Sequence, residues 1–397
     1  MTEEKKKKLL IIGPGHGHNS EGKLKSLYDC MLFDISFWAY DLDESFQEKF
    51  PNIHFILPDI QLRKKKPLRT LFCFLYAFKY LRLKNNIDVL YLLGSGGFFS
   101  AFLFFIGRKR VVKAFEIWNN HIIDSASNND SIIDKCNNYI LKKSDYVCQY
   151  WWGIREKFIS IFPQYENKFI MYQLSYPDIF FSNTKHYPES NFVKQFLNRI
   201  PSTQIVCFWP RSFIPSNNHK LLLDSLYLIK QNNPNLLSNF KLYLWGGNVE
   251  DANSRFIIDK AITDYEISEN VEIVDHPFVP QNDIFAIEER SDFFVQIAND
   301  DILSTYIMEM ICSGKPFLLS NLRTFQFLNE QYGLNIDLIE NDKHLIAERI
   351  EKILSGKYQA SIHNNVIRIN KCKQYFSESN TVTWTDLLYN VIINRNY

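Results

Sequence analysis

Residues 300–316, reading DDILSTYIMEMICSGKP, place two carboxylates at a spacing that suits chemistry. The run just before them, FFVQIA from Phe293 to Ala298, is short, apolar and of strand type, so Asp300 and Asp301 fall where that strand ends. Open α/β sheets bind their ligands at such carboxyl ends. From Asp301 to Glu309 is a step of eight residues, a little over two helical turns. That step predicts both acids along one helix face, Asp301 at the start and Glu309 in the body. Ser304 and Thr305 then occupy the first turn, whose free N–H groups suit a phosphate. Gly314 and Pro316 end the helix and lead into a further strand, PFLLS. Asp301 can also serve as the helix N-cap. Two adjacent acids with no third ligand nearby make a poor metal site, and no metal is expected.

Such groups need a sheet behind them, and the sequence alternates strand and helix patterns twice. In the first half KLLIIGPG, FDISFWAYDLD, DVLYLLGSGG, RVVKAFEIW and YVCQYWW read as strands, with helices such as Leu68 to Leu83 between them. In the second half QIVCFWP, KLYLWGG, VEIVD and FFVQIA alternate with helices near 218–231, 255–267 and 283–289. Apolar strands separated by helices imply parallel, doubly wound sheets. Apolar residues thin out around FSNTKHYPES, 181–190, which marks a linker. The expected organisation is a first domain over 1–183, a linker over 184–200, a second domain over 201–373 and a terminal helix within 374–397.

Composition sets limits on partners. At 397 residues the chain suits two domains, and 45 Lys and Arg against 44 Asp and Glu give a net charge of +1. No global field recruits nucleic acid. The basic runs Lys5–Lys8 and Arg63–Lys66 fit either a solvated surface or peripheral contact with anionic lipid. The longest apolar stretch, residues 97–107, is well short of the roughly 20 residues that span a bilayer. Seven cysteines without a CxxC pair read as reduced thiols, the expectation for a cytoplasmic protein. The sequence contains no GxSxG, HExxH or P-loop lysine motif and no repeat. Asp41 and Asp43 form a DxD pair that reads as a loop pair.

The segment Asp301-x7-Glu309 followed by MICSGKP resembles the Glu-x7-Glu signature of retaining, nucleotide-sugar-dependent glycosyltransferases of GT-B fold, the bacterial capsule and lipopolysaccharide group. The first acid is Asp instead of Glu, and Ile302, Leu303 and Ser304 replace the usual Gly-Phe-Gly. The resemblance implies two Rossmann-like domains facing across a cleft, with a C-terminal helix crossing back to the first. It assigns Arg211 and Lys220 to the donor diphosphate, where fixed cations stabilise the charge of a departing nucleoside diphosphate. It gives Glu309 the ribose hydroxyls and Asp301 the donor sugar. Ser304, Thr305, Gly246, Gly247 and His276 complete the implied nucleotide side, His276 being as readily a loop residue.

In the first half, Gly13, Gly15 and His16 follow the first strand, where glycine lets backbone approach a ligand. His16 can polarise a hydroxyl or phosphate or be a turn residue. FEIWNNH, 115–121, aligns with the family's YEIHD, with Trp118 and Asn119 in place of His and Asp. Glu116 matches, and His121 is the candidate replacement for the lost histidine. The implied activity is sugar transfer from a UDP- or GDP-sugar to a glycan or lipid-linked acceptor, retaining, metal-independent and without a separate cofactor. The alternatives are an inactive GT-B-like binding subunit and a nucleotide-sugar 2-epimerase. The sequence leaves donor base, linkage, acceptor and oligomeric state open.

Overall fold

The computed structural model describes residues 6–15, 24, 27–28, 32–42, 44–56, 75, 78, 87–94, 98–107, 111–117, 120–128, 130–149, 152–172, 190–246, 251–275, 281–301, 303–358 and 362–377. The chain divides into two compact units, residues 1–175 with 381–397 and residues 176–380.

The first unit is built on a seven-stranded sheet of β1 (Lys7–Gly15), β2 (Phe33–Leu42), β3 (His54–Ile56), β4 (Val89–Leu93), β5 (Val112–Glu116), β6 (Tyr146–Gln149) and β7 (Phe169–Met171). Their order is β3-β2-β1-β4-β5-β6-β7 and every pairing is parallel. Strand order therefore reverses between β1 and β4. All five residues of β4 are buried, the mark of a central strand covered on both faces. Five helices accompany the strands among the described residues: α1 (Glu44–Lys49), α2 (Phe98–Ile106), α3 (Asn120–Asn128), α4 (Ile132–Lys143) and α5 (Trp152–Ile161). Most of the helix expected over 68–83 lies outside the described residues.

The second unit carries a six-stranded parallel sheet of order β10-β9-β8-β11-β12-β13. Its strands are β8 (Ile205–Trp209), β9 (Phe240–Leu244), β10 (Val271–Ile273), β11 (Phe293–Gln296), β12 (Phe317–Ser320) and β13 (Leu338–Ile339). Here the order reverses between β8 and β11, paired in register through Phe293 with Cys207 and Phe294 with Phe208. Between the strands run α6 (Asn191–Asn198), α7 (His219–Asn232), α8 (Pro234–Leu237), α9 (Ala252–Asp264), α10 (Gln281–Arg290), α11 (Thr305–Cys312), α12 (Arg323–Tyr332), α13 (Lys343–Leu354) and α14 (Ile362–Phe376).

Two boundaries differ from the expected ones. Within the stretch read as a linker, α6 buries Val193 and Phe196 in a core with Phe208, Tyr243 and Trp245. Those two apolar positions, three apart, give one short helix a core face that the many polar residues around it conceal. The rest of that stretch, 184–189, lies outside the described residues. Near the C-terminus α14 runs through the expected boundary at 373, and the remainder of the expected terminal helix, 378–397, is outside the described residues. The helix bearing Glu309 also starts later than expected. Ser304, in extended conformation, is its N-cap, so Asp301 stands in the preceding loop.

Candidate functional site

The carboxyl ends of β8 and β11 are neighbours at the reversal of strand order, the position where doubly wound sheets open a crevice. Arg211 follows β8 and Asp301 follows β11. Arg211 Nη2 donates to Asp301 Oδ2 at 2.9 Å, and Nη1 reaches Ser304 Oγ at 3.4 Å. Gln296, the polar last residue of β11, donates through Nε2 to the same Asp301 oxygen and accepts from Trp209 Nε1 at 3.2 Å. Thr324 Oγ1 donates to the Asp301 carbonyl at 3.0 Å. The pair is an ion pair with the acid nearly enclosed and the arginine side chain one-fifth exposed. Arg211 Nε is buried and has no hydrogen-bond partner among the described residues. Asp301 therefore orients the cation, which keeps donors to spare.

Two helix N-termini lie against this arginine. Ser304 makes no capping bond to α11, its hydroxyl being turned to Arg211. Asn218 precedes α7 in the left-handed conformation, φ 61°, and also makes no capping bond. Its Nδ2 donates instead to Asn299 Oδ1 at 3.0 Å, while the Asn299 N–H donates to the Ser216 carbonyl at 2.8 Å. The loops before α7 and after β11 are stitched together in this way. Uncapped N-termini leave partial positive charge beside Arg211.

His219 opens α7 and is 3% exposed. Its ring packs 4.3 Å from the Trp209 ring and 5.2 Å from the Phe213 ring. Its Nε2 is buried without a hydrogen-bond partner among the described residues. Burial, and then the charge of Arg211, push its pKa down to about 3, so the ring is neutral at physiological pH.

Lys220 takes a different direction. One residue on from His219, it is turned by about 100° around the helix. Its Nζ meets Asp224 Oδ1 at 2.6 Å and the Tyr265 hydroxyl at 3.0 Å, on a surface where Tyr265 also donates to Asp224. The expected partner of Arg211 is thus tied up elsewhere by a carboxylate one turn away, and His219 takes the inward position. Glu309 is buried in the body of α11. The far end of that helix is held from α14, with Arg368 Nε donating to the Ile311 carbonyl at 3.0 Å and Asn365 Nδ2 to the Gly314 carbonyl at 2.9 Å.

Gly246 serves packing. A Cβ there would run into the Phe213 ring, so the glycine leaves room for the side chain that backs His219. The Thr305 backbone is the first of α11. Gly247 and His276 lie outside the described residues.

The first unit treats its expected residues differently. Glu116 ends β5 fully buried, its two oxygens accepting from the hydroxyls of Tyr91 and, at 3.0 Å, Tyr172. Burial, and next the Glu116 charge, push the Tyr91 pKa well above 10. Glu116 ties β4, β5 and the end of β7 together from within. Gly13 closes β1 against Leu93, whose Cβ would stand 2.8 Å from an added Cβ. Gly15 ends β1 opposite Leu42, after a break in register. His121 belongs to α3, and His16 lies outside the described residues.

Sequence reasoning did not single out Trp209, Gln296, His219 or Thr324. Gln296 left a signal, a lone amide inside the apolar run FFVQIA.

No protein-family model matches the sequence, and a comparison with curated proteins finds no match. Solved structures do match. A glycosyltransferase from Rickettsia africae superposes with a TM-score of 0.70 at 12% identity, covering 99% of this chain and 100% of its own. The fold is GT-B. A UDP-forming α,α-trehalose-phosphate synthase from Burkholderia xenovorans gives 0.69 at 11% identity over 98% and 99% of the two chains. Anabaena HepE in complex with UDP and glucose gives 0.67 at 13% identity over 94% and 96%. In GT-B terms the Arg211 cluster belongs to the C-terminal doubly wound unit. Among the described residues, no helix is long and apolar enough to cross a membrane.

Proposed function

We propose that this chain is a glycosyltransferase that draws its sugar from a UDP- or GDP-sugar. The observation that carries the reading is Arg211. It is locked onto Asp301 at the switch point of the second sheet, retains a buried N–H without a partner among the described residues, and lies against two helix N-termini without side-chain caps. A diphosphate that gains charge as its bond to the sugar breaks is the ligand such a cluster fits best. Glu309, on the adjoining helix, is assigned the ribose hydroxyls. Asp301 serves chiefly to aim the guanidinium. The GT-B neighbours described with UDP, and with UDP and glucose, agree with this choice of donor.

In this reading the transfer is retaining and needs no metal, because Arg211 and the helix termini supply the positive charge. The departing phosphate takes the proton from the acceptor hydroxyl on the same face. The acceptor is a glycan or a lipid-linked sugar of a surface polysaccharide, met at the cytoplasmic face of a membrane.

Purified protein incubated with UDP-, GDP- and CMP-sugars, with and without acceptor glycans, tests this through nucleotide release. The expected result is acceptor-dependent release with one nucleotide class, lost in Arg211→Ala and Glu309→Ala while the fold persists. Interconversion of the sugar without net release would indicate an epimerase instead. Silence across the panel would indicate a binding subunit.

A further inference from the structure

The ladder between β8 and β11 is short. It runs through Phe293 opposite Cys207 and Phe294 opposite Phe208 and goes no further. The residue after β8 is Pro210, which has no N–H to carry the ladder on. Pairing that stops here leaves main-chain carbonyls facing a gap, and buried carbonyls need donors. Tyr306 supplies one. Its hydroxyl lies 3.2 Å from the Phe208 carbonyl and 3.3 Å from the Val295 carbonyl, so one proton serves both strands. The residue is 6% exposed, and its ring meets Phe294 edge-on at 6.1 Å between centroids. Burial holds its pKa well above 10, so the hydroxyl keeps the proton it donates.

Tyr306 is also the second residue of α11. Its side chain reaches the sheet at the reversal of strand order, while its main chain belongs to the helix start beside Arg211. The first intrahelical bonds there run from the Ile307 and Met308 N–H groups to the Ser304 carbonyl, at 3.1 and 3.3 Å. The Thr305 and Tyr306 N–H groups precede them and are those a helix start offers to an anion.

We infer that Tyr306 is a positioning residue whose hydroxyl stands in for the N–H that Pro210 lacks and seats the start of α11 on the ends of β8 and β11, in reach of a diphosphate held by Arg211. The inference rests on the nucleotide-sugar reading above. One hydroxyl ties the helix to the strand that leads to Arg211 and to the strand that leads to Asp301. Ser304, two residues earlier, meets Arg211 Nη1 at 3.4 Å, so a shift of the helix start moves this contact and the first amides together. Hydrogen bonds to phosphate depend on alignment, and a displaced helix start holds the ligand less well.

The test is calorimetric titration of UDP onto the full-length protein, with melting temperature followed in parallel, in a cycle of Tyr306→Phe and Pro210→Ala. Tyr306→Phe removes only the hydroxyl, and Pro210→Ala supplies a main-chain N–H at the end of β8. Tyr306→Phe is expected to weaken UDP roughly tenfold in the otherwise wild-type chain. In the Pro210→Ala background the same change is expected to cost less than about threefold, because the new N–H replaces the hydroxyl. A tyrosine that only fills the interior would lower the melting temperature and leave UDP affinity alone. Should Tyr306→Phe not fold by itself, Pro210→Ala against the double variant decides, and a loss beyond about threefold there overturns the inference. So does unchanged UDP affinity in Tyr306→Phe, or an equal loss in both backgrounds. In each of these cases the nucleotide-sugar reading stands, because wild type still binds UDP. Failure of the wild type to bind UDP, GDP or CDP overturns both.

Discussion

At the carboxyl end of β5 in the first unit, Glu116 is sealed in the interior with a tyrosine hydroxyl on each oxygen. At the carboxyl ends of β8 and β11 in the second, Arg211 and Asp301 are paired, yet among the described residues one Arg211 N–H is unused, and part of the arginine side chain is exposed. Both positions are carboxyl ends of parallel strands, and the second is also at the reversal of strand order. The contrast shows that a charged residue at a strand's end becomes a site only when the surrounding structure leaves it something to do. A buried carboxylate with its partners in place is a strut, and its removal is felt as lost stability. A cation that is aimed but incompletely satisfied, beside uncapped helix N-termini, is prepared for a ligand.

The contrast can be tested by substitution. The largest effect is expected from Arg211→Ala, which should lower the rate of nucleotide release about a hundredfold, the loss of a charge-assisted hydrogen bond at a developing charge. Circular dichroism should show the fold retained. Glu116→Leu should do the reverse. Two tyrosine hydroxyls lose their acceptor, and urea denaturation should report a loss of about 2–4 kcal/mol, with UDP affinity unchanged.

Next comes a pH effect from His219. Its folded pKa of about 3 lies below the ordinary histidine value of 6.5, so the unfolded chain takes up a proton that the folded chain refuses. Stability from this residue is fully present above pH 6.5 and is lost as the pH falls toward about 3. Chemical denaturation at a series of pH values should show this slope, and it should be absent in His219→Phe. The smallest effect belongs to Lys220→Ala. Its ammonium is spent on an exposed pair with Asp224, so UDP affinity should change by no more than about threefold. A loss equal to that of Arg211→Ala would show that Lys220 leaves this pair to join the diphosphate.

Much of the fold was legible in the residues. The central strands are continuous apolar runs ended by glycine or a polar turn, and such runs are strongly constrained by burial on both faces. The short strands β7 and β13 and helix α6 carry too few residues for a pattern to stand out. Asp301 and Glu309 were visible through their spacing, and Arg211 through the resemblance. What spacing could not supply was direction. His219 and Lys220 are adjacent in sequence and diverge by one helical step, so a one-residue error exchanges an inward ring for an outward ammonium. Nor could it reveal that Glu116 is clamped, since Tyr91 lies 25 residues away and Tyr172 56. Ser304 shows the local form of the same difficulty. The N-cap that Asp301 could have supplied falls to Ser304, because Asp301 is claimed by Gln296 of its own preceding strand and by Arg211, which only the pairing of β8 with β11 brings to it.

Everything proposed for the second unit requires Arg211 and the adjoining helix termini to hold the diphosphate of a nucleotide. Calorimetric titration of UDP, and of uridine for comparison, onto wild type and Arg211→Ala isolates that requirement. UDP should bind wild type at least about tenfold more tightly than uridine does, and Arg211→Ala should remove most of the difference. Equal affinity for the two ligands, or a preference for UDP that survives Arg211→Ala, would contradict it.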